Sequence, residues 1–213
     1  MDWANSERKQ LNQYEKQEMF DKPCPLPPGA TALSFLWTYL VKDDKTKKAR
    51  CVCNGAPSKG TVTLGPTYAG SLDQTGARIF WLATAMLNMK VYGADVSNAF
   101  AEAPPPVAPL YIYVDTQYRQ WYESKGYGTI PEGYVVKAKR ALQGHPESAR
   151  LWAKLIDGLL KDKLHLKATT HEPCLYSGEV NGEKVLFLRQ VDDFAIACND
   201  EKIAKSMIDT INS

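Results

Sequence analysis

From Trp3 to about Met19 the chain is polar, with Trp3, Leu11 and Tyr14 at near-helical intervals, which predicts one amphipathic helix. Four prolines within Asp21 to Gly29 then enforce an extended connector. Phe35, Trp37, Tyr39 and Val41 alternate with other positions, Asp43-Asp44 turns the chain, and KKARCVC returns it as the second strand of a hairpin with Lys48 and Arg50 on one side. A Gly, Ser and Thr-rich loop covers Asn54 to Gly70. Leu72, Ile79, Phe80, Ala83, Met86 and Leu87 keep helical spacing through Ser71 to Lys90, and Ser71 with Gln74 forms a capping box. Val91 to Val96 reads as a strand, Pro104 to Pro106 as a breaker, Leu110 to Val114 as a strand followed by a loop through Pro131, and Tyr134 to Lys137 as another strand.

Pro146 opens the best-defined helix, in which Leu151, Trp152, Leu155, Ile156, Leu159 and Leu160 make one apolar stripe. Cys174 to Val180 and Glu183 to Gln190 flank Asn181-Gly182, a strong hairpin signal. A strand over Phe194 to Cys198 and a helix over Asp200 to Ile211 close the series. Antiparallel hairpins interleaved with helices predict an α+β fold, a sheet with helices on one face.

A length of 213 residues with 44% hydrophobic and 23% charged residues fits a globular chain and excludes disorder and fibrous repeats. No stretch approaches the roughly 20 apolar residues of a membrane helix, so no membrane partner is expected. The net charge of +2, from 26 Lys and Arg against 24 Asp and Glu, is too balanced to imply nucleic acid by global attraction. Local patches such as Lys137, Lys139 and Arg140 would have to carry that role. Five cysteines and no export signal point to a reducing, intracellular setting. Cys51 and Cys53 share a strand face and read as packing residues rather than zinc ligands. Gly55 to Thr61 lacks the order of a phosphate loop.

The candidate chemistry sits at Asp192-Asp193, two carboxylates between the apolar runs Val185 to Leu188 and Phe194 to Cys198. Asp95 ends a third apolar strand. If these strands are neighbours, three carboxylates meet at one sheet edge, and charges that close call for a hard cation such as Mg²⁺. Two such ions about 4 Å apart serve in-line phosphoryl transfer, so the arrangement predicts nucleotidyl transfer.

With KAR at Lys48 to Arg50, DVSNAF at Asp95 to Phe100, ALQGHPESARLW at Ala141 to Trp152 and VDD at Val191 to Asp193, the chain resembles the reverse transcriptases of copia-type LTR retrotransposons. The resemblance implies a right-hand polymerase: fingers and an N-terminal helix over about 1–90, and over about 91–213 a palm with finger insertions, its antiparallel sheet backed by helices. The palm would be incomplete and the thumb missing, because the chain ends about 20 residues after Asp193. It implies Asp95, Asp192 and Asp193 as catalytic carboxylates holding two Mg²⁺, or Mn²⁺, with the Val96 carbonyl in a metal shell. Lys48 and Arg50 would grip the triphosphate, either one as the principal ligand. Phe100 would lie under the sugar or serve as an ordinary core ring. Gln143 and Gly144 would contact the incoming nucleotide and template.

The implied partners are an RNA or DNA template with primer, deoxynucleoside triphosphates and the remaining polyprotein domains, in a cytoplasmic particle or the nucleus. The chain departs from the family pattern in having Gln190 where an aromatic precedes Val-Asp-Asp, and in lacking the Lys of a Leu-Tyr-Gly-Leu-Lys-Gln run. Two rival readings are a catalytically inactive remnant, acting as a nucleic-acid or protein interaction module, and a nucleotide cyclase. The cyclase would carry glycines where Gln190 and Val191 stand.

Overall fold

The computed structural model describes residues 3–56 and 65–212. In chain order its elements are α1 (Ala4–Lys16), β1 (Cys24–Pro25), β2 (Ala32–Val41), β3 (Lys47–Cys53), α2 (Gln74–Met86), β4 (Lys90–Asp95), β5 (Tyr111–Tyr113), α3 (Thr116–Ser124), β6 (Tyr134–Lys137), α4 (Ser148–Gly158), β7 (Lys167–Ala168), β8 (Leu175–Val180), β9 (Glu183–Gln190), β10 (Asp193–Cys198) and α5 (Glu201–Ile211). They form two compact units, Met1–Thr67 with Phe100–Leu151 and Tyr68–Ala99 with Trp152–Ser213. The division expected near residue 90 falls inside the second unit. Each unit has its own five-stranded sheet, where the sequence pattern suggested one. Among the described residues no helix is long and apolar enough to cross a membrane.

The first sheet has the order β1-β6-β5-β2-β3 and is antiparallel except where β2 runs parallel to β5. In β2 the alternation holds at its start, where Leu33 and Phe35 are buried between the exposed Ser34 and Leu36, while Thr38 to Val41 are all exposed. Cys51 and Cys53, 0% and 2% exposed, face inward, and burial pushes the Cys51 thiol well above its ordinary range and the Cys53 thiol up to about 12. These are packing thiols. α1 lies against β3 through Leu11 and Tyr14, whose hydroxyl donates to the Cys51 carbonyl.

The segment read as a loop through Pro131 contains α3. Its signal was present: Asp115 caps it by accepting the Tyr118 N–H, and Tyr118 and Trp121 bury one face at i, i+3 spacing. Tyr118 stacks on Phe35 with ring centroids 5.9 Å apart, and the Trp121 indole N–H donates to Asn12 Oδ1 at 2.9 Å, tying α3 to the sheet and to α1. The glycines at 126 and 128 and Pro131 mark only the turn that follows.

The second sheet has the order β4-β10-β9-β8-β7 and is antiparallel throughout. Asn181 and Gly182, at φ 50° and 83°, make the two-residue turn that joins β8 to β9. Phe187, Ile196 and Tyr176 share one face and are 0% exposed. On that side the Tyr176 hydroxyl donates to Asp157 of α4 at 2.9 Å. On the opposite face Phe80 of α2 packs with Leu175, Leu188 and Ala197. The expectation of helices on one face is therefore corrected: α2 and α4 cover opposite faces, because this sheet carries apolar side chains on both.

The start of α2 differs too. The cap is Asp73, not Ser71: its extended backbone lets the carboxylate accept the Gly76 N–H. Asp73→Ala should cost about 1 kcal/mol and lower the melting temperature by about 2–4 °C, while Ser71→Ala leaves it unchanged. Thermal melts of the two variants decide between the caps.

Candidate active site

Each candidate side chain is placed by its strand. β4 and β10 pair so that Asp95 stands directly opposite Asp193, with Ala94 opposite Phe194 and Gly93 opposite Ala195. Paired residues share a face, so the two carboxylates point the same way with Cβ atoms about 5 Å apart. Both are exposed. The next row on that face is Gly93 and Ala195, and a Cβ added at Gly93 would meet nothing within 4 Å, so the floor behind the carboxylates is open.

Asp192 belongs to the two-residue turn, Val191-Asp192, that joins β9 to β10 across the closing pair Gln190 and Asp193. It is half-buried, and its carbonyl accepts the Val96 N–H at 3.0 Å, which ties the turn to the residue after Asp95. The convergence expected of Asp95, Asp192 and Asp193 is thus present in the backbone: all three lie at one end of the β4, β10 and β9 ribbon. Among the described residues no three acidic, His or Cys side chains close into a ready cage for a metal ion. The donor set is still one of hard oxygens on an open edge. That suits Mg²⁺, which binds through one or two carboxylates and completes its shell with water and substrate phosphate.

The other candidate residues belong to the first unit. Lys48 and Arg50 lie on one face of β3, opposite Leu40 and Thr38, and Arg50 is exposed. Phe100 is half-buried in the turn Ala99–Glu102, between the buried Ala99 and Ala101. The Gln143 carbonyl accepts the Cys53 N–H at 2.7 Å. Gly144, at φ +92°, passes so close to β3 that any Cβ there would overlap the Cys53 carbonyl oxygen. Its close approach in this structure is to Cys53. In the nearby basic run, Lys139 pairs with Glu18 at 3.2 Å. Most of Gly55 to Thr61 lies outside the described residues.

The sequence did not reveal the polar contacts of two further residues, one in each unit. His145 is 4% exposed, and its Nδ1 accepts the Glu147 N–H at 3.3 Å. Burial holds its pKa below the ordinary value despite the charge of Glu147. Trp152, read only as part of an apolar stripe, donates its indole N–H to the Val191 carbonyl at 2.7 Å. Its polar tip was the available signal, since a buried indole N–H needs an acceptor.

No family model matches the chain. The chain is similar to the Retrovirus-related Pol polyprotein from transposon TNT 1-94 of Nicotiana tabacum, 25% identical over an aligned stretch of 219 positions that takes in 93% of this chain and 15% of that protein. Among solved structures it is similar to a foamy viral protease-reverse transcriptase in complex with double-stranded DNA, at 14% identity and a TM-score of 0.46, over 97% of this chain and 28% of that one. The chain therefore spans about 15% of the length of the curated relative it matches.

Opposed like charges repel, so in the absence of divalent cations Asp95→Asn and Asp193→Asn should each stabilise the fold by on the order of a few tenths of a kcal/mol. The double variant should gain less than the sum, because one neutralisation already removes the shared repulsion. Chemical denaturation of the four proteins measures the coupling. Additive gains would show that the two carboxylates do not face each other.

Proposed function

We propose that the chain is the fingers and palm part of a copia-type RNA-directed DNA polymerase, adding deoxynucleotides to a primer annealed to an RNA or DNA template by two-metal nucleotidyl transfer. The observation that carries the reading is the Asp95 and Asp193 pair with Asp192 in the adjoining turn. The similarity to a retrotransposon Pol polyprotein, which runs through 93% of the chain, supports it.

In this reading Asp95, Asp192 and Asp193, with the Val96 carbonyl, would hold two Mg²⁺, which would supply charge neutralisation for the transfer. In the reaction the primer 3′ hydroxyl would give up its proton to solvent, its oxygen would bond to the α-phosphorus, and the bond from that phosphorus to the departing diphosphate would break. Lys48 and Arg50 would pair with the triphosphate, Arg50 as a planar fork and Lys48 as a point charge. Phe100 would lie beneath the sugar and exclude a 2′-hydroxyl. Gln143 would contact the nucleotide, with Gly144 fixing the turn that presents it. The enzyme would act inside the cell beside further domains of a polyprotein.

The test is extension of an oligo(dT) primer on poly(rA) with Mg²⁺. The wild-type chain should incorporate dTTP, and Asp95→Asn should lower the rate by about 10²-fold or more while remaining folded. Equal extension by Asp95→Asn would overturn the metal assignment. No incorporation by the folded wild-type chain would favour the inactive remnant.

A further inference from the structure

Seven non-glycine residues among those described have positive φ: Glu18, Lys45, Asn88, Asn98, His165, Asn181 and Val191. Val191, at φ +57°, is the one with a β-branched side chain. Branching at Cβ makes this region unfavourable, so the conformation persists only if the surroundings impose it. The same sheet has a second two-residue turn, and there Asn181 and Gly182 adopt positive φ with residue types that tolerate it. The carboxylate turn lacks that chemistry.

Burial of the Val191 side chain does not hold it, since the residue is 42% exposed. What holds the turn is its backbone. Its first carbonyl, on Val191, accepts the Trp152 indole N–H at 2.7 Å, and its second, on Asp192, accepts the Val96 N–H at 3.0 Å. Trp152 is 2% exposed on α4, so the donor is itself fixed by packing. Among side chains the indole is well suited to this duty: a large apolar body for the core and one N–H that can only donate.

We infer that Trp152 is a positioning residue, whose indole N–H clamps the Val191 carbonyl, keeps the turn in its strained form and so sets where Asp192 and Asp193 stand relative to Asp95. The inference rests on the polymerase reading above for the use made of those carboxylates. The clamp itself depends only on the hydrogen bond and the backbone angle. Trp152→Phe keeps an aromatic body and removes the donor. Val191→Gly removes the strain, because glycine takes positive φ freely.

The experiment is a titration of the full chain with Mn²⁺, followed by electron paramagnetic resonance of the free ion, beside thermal melts. Trp152→Phe should weaken Mn²⁺ binding by about two- to tenfold, the range one hydrogen bond represents. Val191→Gly should melt no lower than wild type and bind Mn²⁺ at least as well. The double variant should bind within about twofold of Val191→Gly alone, since a relaxed turn no longer needs the clamp. Wild-type Mn²⁺ affinity in folded Trp152→Phe would overturn the inference, as would a double variant that binds as weakly as Trp152→Phe. If Trp152→Phe does not fold, Val191→Gly still decides, because a lower melting temperature would show that no strain is relieved there. Asp95→Asn is the separate control: Mn²⁺ binding that this variant leaves unchanged would overturn the polymerase reading rather than the clamp.

Discussion

Antiparallel pairing of β4 with β10 sets each side chain of one strand across from a side chain of the other, and a slip of one residue would send Asp95 and Asp193 to opposite faces. The register is held from the other side of the sheet. Phe194 and Ile196 are buried there, each worth about 1.5–3 kcal/mol against exposure, and a slip would take both out of that packed face. Repulsion between two carboxylates at an exposed edge is on the order of a few tenths of a kcal/mol. The core therefore wins, and the carboxylates are kept in opposition by apolar residues that do not touch them.

The same economy of means governs the turn between β9 and β10. Its first residue, Val191, is a poor turn former, so hydrogen bonds from Trp152 and Val96 replace the intrinsic preference that Asn181 and Gly182 supply at the other end of β9. In the first unit glycine has a comparable task. Gly144 permits a backbone contact with Cys53 that no other residue would allow, which fixes Gln143 against the end of β3, three residues beyond Arg50. Gln143 and Gly144 thus share one small piece of framework with β3, and the carboxylates share another.

Local signals were legible in the sequence wherever they were self-sufficient. The Asn181-Gly182 hairpin, the α4 stripe and the alternation of β2 needed no distant partner to be read. Non-local choices were not legible. That β2 would pair in parallel with β5, and that the strands would sort into two sheets, depends on contacts between residues about 80 positions apart, such as Leu33 and Ile112. α3 was missed because its charged and aromatic residues resemble a loop until Asp115 is recognised as its cap. Ser71 was preferred to Asp73 because the capping-box pattern is strong in sequence, yet only the backbone angles at Asp73 let a side chain reach Gly76. The three carboxylates were found from their flanking strands, but the position of Asp193, rather than Asp192, opposite Asp95 follows from register alone. Trp152 was placed correctly in its helix, while the use of its N–H could not be read from a stripe of apolar positions.

The central claim is that this sheet edge binds a divalent cation between strands that the core holds in register. Thermal melting across a Mg²⁺ titration tests it most directly. At ten times the dissociation constant a single site stabilises the fold by about 1.4 kcal/mol, a rise of about 3–6 °C for a chain of this size. The wild type should show that rise, and Asp95→Asn and Asp193→Asn should each lose most of it. A Mg²⁺-induced rise of the same size in the wild type and in Asp95→Asn would contradict the account.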